Sequence, residues 1–202
     1  VVRVPHTPKP GETVIGGDFE TLPGGKGANQ AVAAARLGAN THFAGCTGAD
    51  SFGKFLRETL TQAGIQVDHL HEHPREGTGK AFIAVADDGQ NSIVVAPGAN
   101  FAFTPDKVEA LQPPLSQTDV ILLQLEIPLE TVAAMLQLAR SSGVTTILDA
   151  GPAQNLPREI LRLADVVSPN ETEAAHLTGT PVNSLDDARR AAGELLELGA
   201  PE

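Results

Sequence analysis

Between residues 120 and 198 the chain alternates short apolar runs with longer stretches of helical period, and few folds tolerate that alternation. Val120–Leu125 reads as a buried strand. Leu129–Arg140 reads as a helix opened by Pro128 and closed near Gly143, with Leu129, Val132, Ala133, Leu136 and Ala139 on one face. Val144–Leu148 and Val166-Val167 read as strands, and Glu171–Leu177 as a helix. Ser184 with Asp187 resembles a capping box for a last helix, Leu185–Leu198, whose Leu185, Ala188, Ala192 and Leu195 are expected to face a sheet. Strands that alternate with helices in this way build an open parallel sheet covered by helices, so the expected class is α/β.

The same texture runs earlier in the chain. Ala28–Leu37 is an alanine-rich helix closed by Gly38, Thr41–Ala44 a strand, and Phe52–Ala63 a helix closed by Gly64. Thr104 is placed to cap a short helix with Pro105 at its first position. Two stretches differ. Glu12–Gly16 and Asp18–Leu22 flank Gly16-Gly17, and Gly79–Ala86 and Ser92–Val95 flank Asp87-Asp88-Gly89-Gln90. Both have turn chemistry and no helical period, so each predicts a β-hairpin. The two hairpins, residues 12–22 and 79–95, are expected to form one small accessory sheet.

Composition narrows the partners. The formal charge of −11 repels nucleic-acid phosphates and anionic lipid, so neither nucleic acid nor membrane is an expected partner. Seven Phe with no Trp or Tyr leave little for a base-stacking platform. No run of about 18 apolar residues suggests a membrane span. The lone Cys46 and the absence of a signal-like start suit the reducing cytoplasm.

Three constellations carry chemistry. Gly24-Gly25-Lys26-Gly27-Ala28-Asn29-Gln30 opens a helix, yet it fits neither common phosphate loop. Glu20 stands where a P-loop needs its first glycine, and Gln30 where the dinucleotide fingerprint needs its third. The glycines let a ligand approach the backbone, and the helix start offers N–H donors. Lys26 there opposes the helix dipole, which suggests a use other than helix stability. Asn29, about one turn on, offers both donor and acceptor, and the set suits a polyhydroxylated ligand. The alternative is a glycine turn beside a surface lysine.

Glu126 ends a strand just before a helix, where ligands of open sheets gather; there it can accept from sugar hydroxyls or simply stabilise the helix start. Asn170 and Glu173 form a good capping box on paper. They also suit nucleotide phosphate and metal-bound water, since magnesium keeps several waters and binds through few carboxylates.

Taken together and in order, Gly24–Ala34 (GGKGANQAVAA), Cys46–Asp50 (CTGAD), Ala96–Asn100 (APGAN), Leu123–Glu130 (LQLEIPLE) and Pro169–Glu173 (PNETE) closely resemble the PfkB carbohydrate and nucleoside kinase family, in its ribokinase branch. The resemblance covers nearly the whole chain. It implies a ribokinase-like three-layer open sheet domain over 1–202 with a small β-sheet lid, and transfer of the ATP γ-phosphoryl group to the 5-hydroxyl of ribose. It gives the sugar to Gly24, Gly25, Lys26, Gly27, Asn29 and Glu126, ATP to Asn170, and magnesium or phosphate to Glu173. It implies Mg2+, a monovalent cation (K+) held by a part beyond this chain, and a homodimer paired through the lid.

The resemblance leads one to expect the family's opening strand upstream of Val1 and its anion hole and aspartate base beyond Glu202, so residues 1–202 alone are expected to lack the catalytic base and to be inactive. Kinases of deoxyribose, fructose or adenosine are the neighbouring readings, and a non-catalytic sugar-binding remnant is the reading from another class. His69, His71 and His73 share a strand face but read as a solvated face rather than a metal site, Asp50 and Ser51 as helix caps, and Cys46 as a buried small residue. Asp165 carries no assignment.

Overall fold

The computed structural model describes residues 1–111 and 115–201; Glu202 lies outside them. In chain order the elements are β1 (Val2–Val4), α1 (Lys26–Arg36), β2 (His42–Gly48), α2 (Ser51–Gln62), β3 (Gln66–His73), β4 (Lys80–Ala86) and β5 (Asn91–Ala96). A 3-10 turn at Gly98–Ala102 precedes α3 (Pro105–Glu109), β6 (Val120–Leu123), α4 (Leu129–Ser142) and β7 (Thr145–Asp149). Then come α5 (Arg158–Leu161), β8 (Val166–Ser168), α6 (Glu171–Thr178) and α7 (Leu185–Leu198). They form two compact units, Val1–Ala102 and Phe103–Glu202.

In the first unit β2 and β3 pair in parallel, with Ala44 opposite His69 and Gly48 opposite His73. Helices α1 and α2 close over them. Ala28 and Ala31 from α1, Leu60 from α2, Ile65 and Leu70 make one buried cluster, with Val32, Phe43 and Leu56 packed at its margin. Small alanines on α1 let that helix lie close. Arg57 of α2 donates to the carbonyls of Val67 (3.2 Å) and Leu70, which ties the helix to β3.

The second sheet of this unit has the order β1-β4-β5. β4 and β5 form the expected hairpin, with Phe82 opposite Val94 and Ile83 opposite Ile93. Its turn is closed by Ala86 N–H to the Gln90 carbonyl at 2.8 Å. The other hairpin is not the one expected over 12–22. Residues 12–16 pair with no strand; instead Phe19 bridges Val2, and Gly17 N–H and Glu20 N–H donate to the carbonyls of Arg3 and Val1, each at 2.8 Å. The arms are therefore β1 and residues 17–20. Gly16 serves close packing, since a Cβ there would meet the Arg3 carbonyl at 2.8 Å and the Val2 side chain at 2.9 Å.

The root of β4 is held by one carboxylate. Asp50, the N-cap of α2, accepts through Oδ1 from Gly53 N–H (2.9 Å) and the Thr78 hydroxyl (2.5 Å). Oδ2 accepts from Thr78 N–H (3.0 Å) and lies 3.5 Å from Lys80 Nζ. These bonds, the Thr78 hydroxyl first, hold the Asp50 carboxyl far below the usual carboxylate range. A depressed folded value stabilises the fold above the unfolded carboxyl pKa of about 4, and that stabilisation drains away as pH falls through the folded value. The stability advantage of the native protein over Asp50→Asn is therefore expected to be constant near neutrality and to shrink below about pH 4. Urea midpoints at several pH values check it; an advantage that grows on acidification would contradict it.

In the second unit β6, β7 and β8 pair in parallel in that order, with Leu123 opposite Leu148 and Asp149 opposite Ser168. Helix α4 buries Val132, Met135, Leu136 and Ala139, and Gly143 closes it in the left-handed conformation at φ 70°. The buried Thr131 hydroxyl donates to the Phe103 carbonyl at 2.7 Å. Thr104 stands at the N-cap of α3 but makes no cap bond through its side chain; its hydroxyl accepts from Lys107 Nζ at 3.1 Å.

Helix α7 also departs from its expected packing. Ala191 and Leu195 are its buried residues, while Leu185 is 76% exposed and Ala188 and Ala192 are exposed too. The helix packs on α6, and Thr180 fastens it by a hydroxyl bond to Glu194 at 3.0 Å. Ser184 accepts from Asp187 N–H at 3.2 Å, as expected of a cap, but the Asp187 carboxylate turns to Asn183 N–H and the Ser184 hydroxyl.

Asp165, unassigned from sequence, locks β7. Its carboxylate accepts from Thr146 N–H (2.7 Å) and the Thr146 hydroxyl (2.9 Å), and its own N–H donates back to that hydroxyl (3.0 Å). Asp165 N–H also donates to the Thr146 carbonyl at 3.2 Å; Thr146 is buried, so Thr146→Val removes two of these four bonds without changing shape and is expected to cost about 1–3 kcal/mol, read from the denaturant midpoint.

Candidate functional site

The glycine-rich stretch does open a helix. Gly25 is the N-cap of α1 with φ 99°, a conformation that glycine adopts without strain, and no side chain caps the helix. A Cβ built on Gly24 or Gly25 would meet nothing within 4 Å, so the backbone here is open rather than crowded. Lys26 is the first helical residue, and the first turn holds no acidic residue. The first helical bond, Asn29 N–H to the Gly25 carbonyl at 2.9 Å, leaves the N–H groups of residues 26–28 at the head of the helix, and the Asn29 side chain is exposed. An N-terminus with no acidic residue in its first turn, a cation there and open glycines before it can hold an electronegative, hydroxyl-rich ligand.

In the second unit the three parallel strands present their carboxyl ends along one edge. β6 is followed there by Glu126, β7 ends at Asp149, and β8 is followed by Asn170. Glu126 is half-buried in the bend between β6 and α4. That bend is fixed from the loop after β7: Leu125 N–H donates to the Gly151 carbonyl (2.9 Å), and Gln154 Nε2 donates to the Leu125 carbonyl (3.0 Å). Glu126 therefore stands on a rigid support at the edge where ligands of parallel sheets bind.

Asn170 and Glu173 make the full capping box. Asn170 Oδ1 accepts from Glu173 N–H and Glu173 Oε2 accepts from Asn170 N–H, both at 2.9 Å. Glu173 is buried at 5% exposure. Capping is thus a fact of the structure, and any ligand role is additional to it.

Gly24, Gly25, Lys26, Gly27 and Asn29 lie together at the head of α1, and Glu126, Asn170 and Glu173 share the carboxyl edge of the β6–β7–β8 sheet. His69, His71 and His73 lie half-buried along β3. Cys46 is buried in β2, and Asp50 is a cap. What the sequence reading missed is the role of Thr78 and Lys80 around Asp50; the partners stand 28 residues or more apart, and no local pattern announces them.

The pfkB family carbohydrate kinase model matches residues 2–202. The ribokinase of Haemophilus influenzae is 45% identical over 199 residues, which is 98% of this chain and 65% of the relative. The deoxyribokinase of Salmonella typhi is 36% identical over 193 residues, covering 95% of this chain and 63% of its own length. Among solved structures, Arabidopsis thaliana ribokinase complexed with ribose and ATP superimposes with a TM-score of 0.84 at 36% identity, over 98% of this chain and 65% of that one. The chain thus spans less than two thirds of the length of these relatives. With the family model matched from end to end and the fold reproduced, the chain belongs to the pfkB family of carbohydrate kinases.

Proposed function

We propose that the whole protein transfers the γ-phosphoryl group of ATP to the 5-hydroxyl of ribose. The observation that carries the reading is the head of α1: positive-φ Gly25, an open glycine backbone, Lys26 in the first turn and an exposed Asn29. In this reading Lys26 and Asn29 bond sugar hydroxyls, and Glu126 accepts from another. The hydroxyl oxygen attacks the γ-phosphorus, the bond to the bridging oxygen breaks, and ADP leaves. In this reading the proton passes to a general base of the whole protein.

Asn170 contacts nucleotide phosphate. Glu173 suits magnesium only through water: its Oε2 already accepts the Asn170 N–H, and a single carboxylate makes no cage. Bound magnesium would neutralise charge developing on the phosphates. The monovalent cation belongs outside residues 1–202. The β4–β5 hairpin acts as a lid, and its exposed Phe82, Ile93, Val94 and Val95 suit pairing with the same strands of a second copy in a cytoplasmic homodimer.

The test is turnover of ribose, 2-deoxyribose, fructose and adenosine by the whole protein with ATP. Ribose is expected to lead in kcat/KM by at least about tenfold. A lead for deoxyribose would move the assignment to the neighbouring kinase, and no turnover of any sugar would favour the sugar-binding remnant.

A further inference from the structure

The bonds around Asp50 do more than cap a helix. Two of its three hydrogen-bond donors are on Thr78, and the ammonium of Lys80 lies 3.5 Å from Oδ2; these residues lead into and begin β4. The Thr78 hydroxyl oxygen also accepts from Gly48 N–H at 3.0 Å, which binds the same point to the end of β2. Lys80 Nζ donates back to the Thr78 carbonyl at 2.9 Å and lies 4.8 Å from the centre of the Phe52 ring. The returning stem is clamped here as well: Ala99 N–H donates to the Gly77 carbonyl at 2.8 Å, and a Cβ on Gly79 would meet the Pro97 carbonyl at 2.8 Å. Thr78 and Ala99 are buried, whereas β5 is exposed along its whole length. A packed root thus carries a blade with little packing of its own.

The blade leads to the glycine-rich turn. β5 pairs with β4, β4 with β1, and β1 with residues 17–20. From Glu20 the chain runs without another paired strand to Gly24 and Gly25 at the head of α1. A tilt of β4 at its root therefore moves β1 and the lead-in to that turn together.

We propose that Asp50 and Thr78 are positioning residues for the sugar site, fastening the root of β4 so that the sheet and the turn it leads into stand in the ligand-ready arrangement. The proposal rests on the reading of the α1 head as the place where sugar binds. Neither residue is asked to touch a reacting atom. Loosening the root lowers the fraction of molecules in the ligand-ready arrangement, and apparent affinity falls by that fraction while the bound complex reacts as before.

Thr78→Val in the whole protein keeps the shape and the N–H and removes only the hydroxyl. It is expected to raise the KM for ribose by about tenfold with kcat within about twofold. Amide exchange at residues 80–96 is expected to quicken by a similar factor, and Thr78→Ser, which keeps the hydroxyl, to behave as the native protein. Lys80→Met, at a more exposed position, supplies the same comparison with a smaller shift in the same direction should Thr78→Val fold poorly. A folded variant with unchanged KM overturns the proposal, as does a fall in kcat alone. If the native protein phosphorylates no sugar, the kinase reading fails and exchange decides by itself: faster exchange at 80–96 upholds the fastening, and unchanged exchange removes it.

Discussion

Replacing Lys26 by Met in the whole protein is expected to raise the KM for ribose by about 10- to 100-fold, the size of one lost bond to a charged donor. The side chains are of similar length and helix propensity, so the head of α1 keeps its form. Lys26 stands in the first turn, where a positive charge opposes the helix dipole and the turn itself holds no acidic residue. Met relieves that opposition, so the melting temperature is expected to change by no more than a few degrees. Loss of binding without loss of stability separates a ligand-holding lysine from a structural one. Arg is not an adequate replacement, because its planar fork reaches further and bonds in a fixed plane. Calorimetry of ribose binding checks the expectation; native affinity in the Met variant would return Lys26 to the surface lysine beside a glycine turn.

One substitution, Gly to Ala within a helix, is expected to have opposite signs at two positions. Gly193 lies inside α7, and a Cβ there meets nothing within 4 Å. Ala is favoured over Gly in a helix interior by about 1 kcal/mol, so Gly193→Ala should stabilise by roughly that amount. Gly53 lies inside α2 and has the same propensity to gain. Its Cβ, however, would strike the backbone carbonyl of Gly48, stand 2.9 Å from the Thr78 hydroxyl and 3.1 Å from Thr47 Cβ. A carbonyl at the end of β2 has no room to retreat without breaking the Thr78 bond to Gly48 N–H. Overpacking costs about 1–3 kcal/mol and outweighs propensity, and the strained Asp50–Thr78 bonds add to it, so Gly53→Ala should destabilise by about 2–4 kcal/mol. Denaturant midpoints of the two variants side by side test this; stabilisation at both positions would mean that the close approach of α2 to β2 is illusory.

The sequence disclosed what local chemistry governs. Gly38, Gly64 and Gly143 stand just past helix ends, and the Asp87–Gln90 turn sits between paired strands, because each is decided within a few residues. The capping box of Asn170 and Glu173 was legible for the same reason. Pairings between distant segments were not. Gly16-Gly17 looks like a hairpin turn, yet Gly16 lies against β1, where Val2 and Arg3 leave no space for a side chain, and Gly17 N–H bonds the Arg3 carbonyl. The stripe Leu185, Ala188, Ala192 and Leu195 is a sound helical face, but contact with α6 selected the neighbouring one through Ala191. Asp165 with Thr146 and Asp50 with Thr78 join residues from separate elements, and ordinary Asp and Thr codes carry no mark of such a partner. At the candidate site, residue types at the α1 head and the β6–β7–β8 edge were readable, whereas the support of Glu126 by Gln154 and Gly151 was not.

The parallel pairing of Val2–Val4 with Ala84–Ala86 joins segments from opposite ends of the first unit. During synthesis β1 leaves the ribosome long before its partner exists, so its pairing groups wait on water, or on a chaperone, until β4 has emerged. The β4–β5 hairpin closes through a short local loop and forms early, whereas docking of β1 must meet the entropy of closing most of the unit. The accessory sheet is then assembled from its far edge inward, and β1, made well before β4, is among the last strands to find its place.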